Sequence, residues 1–384
     1  MSVTAVSDAA AVLEAIDALA PSLAARAAAT EANGTLPADV VDDLREAGVF
    51  RLLLPTSHGG AEADLPTAMR AIAALARADG SVGWTSAIGS GAWCDMATLP
   101  RTTFDQIFAD PGTIVAAAFA PGGTIEPVDG GYRVTGRWGF ASGIRHATVL
   151  YANAVERGPA GEMHMRAAVL DPEQITLEHT WEVSGLRGTG SEHFHVDGLV
   201  VPATRTFVPL VGVPCVDTPI VRVSTPSIVG FMLASVAVGI ARGALDDLGA
   251  MAGSKVPLLA SGPLAADPLF CHDLAVAATD LRAAEVLLRD TADTSWTAAA
   301  DGRLPAVSER AEQRAASAWA TMRAASVVDA AYRLAGGSAV YAEGSLQRRW
   351  RDVHAVTQHF VLKDGTFTAC GSVLVGGDPG VPVF

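Results

Sequence analysis

Ala335-Gly-Gly-Ser-Ala-Val-Tyr341, followed by Leu346-Gln-Arg-Arg-Trp-Arg-Asp-Val-His-Ala-Val-Thr-Gln-His359, is the stretch on which the reading of this chain turns. A glycine pair halts a long helical pattern. Arg348, Arg349 and Arg351 follow, and then His354 and His359 fall within six residues. Only 18% of the chain is charged, so this density of arginine and histidine stands out. It marks a place that holds an anion, a cluster of ion pairs or a group that loses a proton.

The rest of the chain sets the bounds. It has 384 residues, half of them hydrophobic, which points to two or three domains or one large layered assembly. The formal net charge of −14 argues against nucleic acid and anionic membranes as partners, because both need a positive field. Cys94, Cys215, Cys271 and Cys370 form no C-x-x-C pair and read as free thiols in a reducing compartment. The N-terminus lacks a basic region leading into an apolar run, so the expected location is cytoplasmic. The longest uncharged run, residues 223–241, is diluted by serine, threonine, proline and glycine and reads as a helix buried in protein.

Periodicity divides the chain into three blocks. Residues 1–112 are helical, with patterns over 10–29, after Pro37, and over 65–78. Residues 81–93, rich in small side chains, carry Trp84, Ser90 and Trp93. From 113 to about 207 the period falls to two, with Gly, Pro and Asp turns, as in a β-barrel or sandwich. From 216 to 384 three long helical patterns, 225–251, 265–300 and 308–334, suggest an antiparallel bundle.

The order of these blocks, with Leu36-Pro-Ala-Asp-Val-Val-Asp-Asp-Leu-Arg-Glu-Ala-Gly-Val-Phe50, Gly136-Arg-Trp-Gly-Phe-Ala-Ser-Gly143, Trp181-Glu-Val-Ser-Gly-Leu-Arg-Gly-Thr-Gly-Ser191 and the C-terminal stretch, resembles the acyl-CoA dehydrogenase superfamily. The resemblance implies an α+β, mostly α fold: an N-terminal helical domain (1–112), a central β-domain (113–215) and a C-terminal four-helix bundle (216–384), assembled as a homotetramer. It also implies a flavin between β-domain and bundle. Phe140-Ala141-Ser142 matches the family segment at the flavin ring, which makes Ser142 the contact to flavin N5. Phe119 and Ala120 match the loop whose backbone lines the ring edge. Residues 185–191 match a β-domain loop near the flavin. Arg351 is a further flavin candidate, or else half of a structural ion pair with Asp352.

The departures are as informative. Most members carry a glutamate about eight residues beyond the Arg-Asp of the C-terminal motif, to remove the α-proton of an acyl thioester. Here Gln358-His359-Phe360 occupies that neighbourhood. No acidic residue but Asp217 lies between 211 and 245, where the other known base would stand. An imidazole suits a phenol or a peroxide better than a thioester α-proton. These departures resemble the two-component flavin-dependent monooxygenases of the same fold.

That branch implies reduced flavin, FMNH2 or FADH2, supplied by a separate NAD(P)H:flavin reductase. Reaction with O2 then gives a C4a-hydroperoxide that hydroxylates a small phenolic or polycyclic aromatic substrate. His359 is the implied proton acceptor, and Trp84, Ser90, Trp93 and His359 line the implied pocket. The competing readings are an acyl-CoA dehydrogenase-type flavoprotein using Asp364, an N- or S-oxygenating monooxygenase, and a non-catalytic scaffold. His193 and His195 share a strand face without a third ligand, so no metal site is expected. His354 is expected to bond backbone or solvent, and the acidic residues 42–43 and 62–64 to form solvated faces.

Overall fold

The computed structural model describes residues 8–380. Asp8 accepts a hydrogen bond from the Ala10 N–H and starts α1 (Ala9–Asn33), which ends at the left-handed Gly34. Pro37 immediately precedes α2 (Ala38–Glu46). Asp64 caps α3 (Leu65–Ala78) by accepting from the Thr67 N–H. Asp79 closes α3 and caps α4 (Gly80–Gly91), taking the N–H groups of Ser81 and Val82. Two short helices follow, α5 (Trp93–Met96) and α6 (Arg101–Phe108). The small residues of α4 are needed for close approach: a β-carbon on Gly83 would fall 2.5 Å from that of Ala76.

The acidic clusters are only partly solvated faces, and their carboxylates are paired. Asp43 pairs with Arg26 and Asp42 with Arg45. Glu62 accepts from Thr56 and Thr218, tying the loop before α3 to the segment before the bundle. Arg26 and Thr218 reach these carboxylates from other segments, which a charge count cannot foresee.

The central strands are β1 (Val115–Ala118), β2 (Gly123–Val128), β3 (Gly131–Ala141), β4 (Val149–Arg157), β5 (Met163–Leu170), β6 (Thr176–Glu178), β7 (Glu192–Val201) and β8 (Thr206–Phe207). All belong to one sheet in the order β6-β7-β3-β2-β4-β5-β8, with β1 parallel to β4. Trp138 stacks on Phe194 at 5.3 Å over a core that includes Ile125, Val134 and Leu150. Along β3 the buried positions are 134 and 138, then 141. That break in alternation coincides with a register shift against β7 between Trp138 and Ala141. The extra residue moves the strand out of phase, throws Phe140 outward and brings Ala141 and Ser142 inward.

The last part is a bundle of α7 (Thr225–Ala252), α8 (Pro268–Ala300) and α9 (Val307–Ala335), completed by α10 (Ser345–Val356) and α11 (Gly365–Leu374). Among the described residues α7 alone is long and apolar enough to cross a membrane, but 83% of its most apolar window is buried. It packs on α9 and on α3, so the apolar run is the core of the bundle and its seam with the N-terminal helices.

Candidate active site

Three segments far apart in sequence meet around Ser142. Its hydroxyl receives the Trp84 indole N–H from α4 at 2.9 Å and lies 2.8 Å from the Ser191 hydroxyl. Ser191 is in turn 2.7 Å from Thr189, whose hydroxyl donates to the Leu186 carbonyl at 2.8 Å. The loop at 185–191, expected near a flavin by resemblance, thus lies directly against Ser142. The fit depends on glycine: a β-carbon on Gly188 would approach Thr30 to 2.3 Å, and Gly143, at φ +73°, sits over Thr85.

His359 comes from the turn after α10. Its ring meets Trp84 edge-to-face at 5.8 Å and Phe360 at 4.8 Å. Phe360 stacks on Phe119, which leaves β1, with centroids 5.5 Å apart. The His359 ring is half-buried, yet its Nδ1 is shut from solvent and has no hydrogen-bond partner. Burial pushes the His359 pKa down to about 4, so the imidazole is neutral near pH 7. A buried polar atom without a partner costs about 1–3 kcal/mol and calls for an explanation. A ligand donor is the simplest one here.

Phe140 holds φ +61° and is 72% exposed. A bulky residue in the left-handed region is strained, and such strain gathers at ligand sites. It approaches Trp181 and His193, each at 6.1 Å. The Phe119 backbone is held from behind by fully buried Asn153, whose Nδ2 donates to the Phe119 carbonyl at 2.7 Å.

Other expected residues are placed differently. The Ser90 hydroxyl turns back to the Ala87 carbonyl, and Trp93 packs against Phe104 in the N-terminal core. Of the three α4–α5 candidates only Trp84 meets His359. Arg351 pairs with Glu31 of α1 and donates to the Ser184 carbonyl and Gln347, not to Asp352. Arg349 pairs with Asp247. The arginines that dominate the sequence are therefore engaged in joining α1, α7, α10 and the backbone at Ser184. His354 bonds Asp329 rather than backbone, with its ring partly open to solvent. Asp364 is exposed at the start of α11.

Family models match both ends of the chain. Residues 8–99 match the acyl-CoA dehydrogenase N-terminal domain and 231–364 the acyl-CoA dehydrogenase C-terminal domain. The indole-3-acetate monooxygenase of Pseudomonas putida is 33% identical over 342 residues, covering 89% of this chain and 87% of that protein. The chain belongs to the two-component flavin-dependent monooxygenases of the acyl-CoA dehydrogenase fold. The crystal structure of the HsaA monooxygenase from M. tuberculosis superposes with a TM-score of 0.91 at 29% identity, covering 98% of this chain and all of that one. XiaF from Streptomyces sp., solved in complex with FADH2 and glycerol, gives 0.92 at 25% identity, with 98% of each chain covered.

This monooxygenase is an oxygenase component, and its cofactor is a reduced flavin used with O2. The residues present suit such a group. A flat tricyclic ring needs aromatic faces, close backbone and a polar group at N5. Phe119 and Phe140 offer aromatic rings and Ser142 a buried hydroxyl, so Phe119, Ala120, Phe140, Ala141 and Ser142 are the residues that would hold it. Sequence reasoning missed Asn153 and gave no role to Phe360. An asparagine in a strand carries no signal of its own, and Phe360 acquires a role only through its stack on Phe119.

Proposed function

We propose that this monooxygenase hydroxylates a small electron-rich aromatic ring, phenolic or fused, using FMNH2 or FADH2 from a separate NAD(P)H:flavin reductase. The observation that carries the reading is the neutral His359 ring, with its buried unpartnered Nδ1, standing among Trp84, Phe360 and Phe119. Reduced flavin supplies the electrons that activate O2 for transfer of one oxygen atom. His359 accepts the hydrogen bond of the substrate hydroxyl, or of a fused-ring N–H, and draws the proton as the ring becomes electron-rich. Trp84 and Phe360 flank the imidazole and exclude water from it. Ser142 holds flavin N5.

Among the described residues no carboxylate pairs with His359, which supports oxygenation over acyl-CoA dehydrogenation. Burial is the one cause of the His359 shift, with no charged neighbour contributing, and Asp364 is exposed. A tetramer is supported by α8, where Leu269, Val276 and Leu287 are exposed and share one helical face through spacings of seven and eleven. Light scattering on the purified protein checks that assembly.

The decisive experiment combines the protein with a flavin reductase, NADH, FMN or FAD and a panel of phenols and indoles. Hydroxylated product and hydrogen peroxide are both measured. Product from at least one ring, with less peroxide than the reductase alone releases, is the expected result. Peroxide equal to the reductase control across the whole panel, with sulfides or amines oxidised instead, would overturn the aromatic assignment.

A further inference from the structure

The hydroxyls around Ser142 form a chain whose direction is determined. The Trp84 indole N–H can only donate, so Ser142 accepts from it. At the other end the Leu186 carbonyl can only accept, and Thr189 donates to it at 2.8 Å. Each hydroxyl has a single hydrogen. With that of Thr189 used, the 2.7 Å contact between Thr189 and Ser191 requires Ser191 as donor. The 2.8 Å contact between Ser191 and Ser142 then requires Ser142 as donor. In the reverse order a Thr189 lone pair would face the Leu186 oxygen at 2.8 Å with no proton between them. All five residues are at least nine-tenths buried, so water does not compete for these bonds.

The Ser142 proton is thereby committed to Ser191. One of its lone pairs is taken by Trp84, and one remains. Ser142 is an acceptor toward anything placed beside it. This distinguishes the two states of a flavin at N5. Reduced flavin carries a hydrogen there and donates, whereas oxidised flavin has a bare nitrogen and accepts. An acceptor paired with an acceptor leaves a buried lone pair unsatisfied, which is penalised.

We propose that Ser191 and Thr189 are positioning residues that hold the Ser142 hydroxyl as an acceptor, so that the site prefers reduced over oxidised flavin. The proposal rests on the functional reading above. It gives the hydroxyl chain a purpose that follows from a diffusible cofactor: reduced flavin must be captured and oxidised flavin let go. Nothing in the arrangement requires Ser191 or Thr189 to touch the flavin.

The test measures dissociation constants for FMN and anaerobically reduced FMN by fluorescence or absorbance titration of the whole protein. Ser191→Ala removes the acceptor for the Ser142 proton, which then turns toward the flavin. The preference for reduced over oxidised flavin is expected to fall about tenfold, equivalent to roughly 1.4 kcal/mol. Weaker binding of the reduced form and tighter binding of the oxidised form both contribute. Ser191→Thr, which keeps the hydroxyl, restores the ratio.

Thr189→Val leaves the Ser191 proton free to turn toward Ser142 and lowers the ratio in the same direction. It serves where Ser191→Ala does not fold. Equal weakening of both flavin forms, with the ratio unchanged, means that Ser191 and Thr189 only pack, and overturns the proposal. Wild-type protein that binds neither form overturns the functional reading itself.

Discussion

Gly185 lies against the backbone of Arg351, and a β-carbon added to it would stand 2.1 Å from the Arg351 carbonyl oxygen. This contact joins the loop that carries Leu186, Thr189 and Ser191 to α10, the helix that leads to His359. Backbone meets backbone, so no side chain can rotate away. Gly185→Ala is expected to destabilise the protein by about 3 kcal/mol, the upper end for overpacking. Urea unfolding checks this, and a midpoint within error of wild type would mean the loop is free to shift.

Trp84 serves two partners at once, Ser142 through its N–H and His359 through its ring. Trp84→Phe keeps an aromatic ring beside the imidazole but removes the donor. The hydrogen bond is worth about 1 kcal/mol, so the fold survives. Peroxide released per product is expected to rise several-fold, because Ser142 loses one of the bonds that hold it. Unchanged coupling would show that the Trp84 N–H is dispensable.

His359→Ala removes the unpartnered Nδ1 and leaves Ser142 untouched. Product formation is expected to drop by about 10²-fold or more, the lower bound for a general base, with the affinity for reduced flavin within about threefold. Because burial lowers the folded pKa of His359 to about 4, the ring remains neutral between pH 6 and 8. The rate therefore has no acid limb near pH 6.5 from this residue. A limb at 6.5 that vanishes in His359→Gln would contradict the assignment.

Stability should carry the same signature. The folded state resists protonation of His359 while the unfolded chain protonates near the ordinary value of about 6.5. Stability from this residue is complete above that value and declines as pH falls toward about 4. Melting temperatures of wild type and His359→Gln should diverge over that interval and run parallel above it.

Asp352 shows the opposite sign. Burial, and then the charge of neighbouring Asp79, push its pKa up to about 7, while its Oδ1 accepts from the Leu186 N–H at 2.6 Å. The folded state holds the proton more tightly than the unfolded chain, so its contribution is full below the ordinary carboxylate pKa and is lost as pH rises toward about 7. Asp352→Asn keeps an acceptor for Leu186 without the charge. Relative to wild type it should gain stability between pH 5 and pH 8. An equal difference at both pH values would show that the carboxyl is ionised throughout.

The amino-acid pattern alone determined the three-part architecture. Local periodicity carries that information: Met163–Leu170 and Leu65–Ala78 fall where alternation and helical spacing put them. The departure at His359 was legible through the resemblance, in which a glutamate stands about eight residues beyond the Arg-Asp pair. Tertiary structure alone decided the use of each polar group. Arg351 drew attention by its charge, yet its partner Glu31 lies some three hundred residues away. Ser142, Ser191 and Trp84 carry no shared pattern, and the direction of their hydrogen bonds depends on a carbonyl at Leu186 held by a left-handed backbone. Periodicity reports which face of an element is buried. Which donor meets which acceptor is settled when separate elements are packed together.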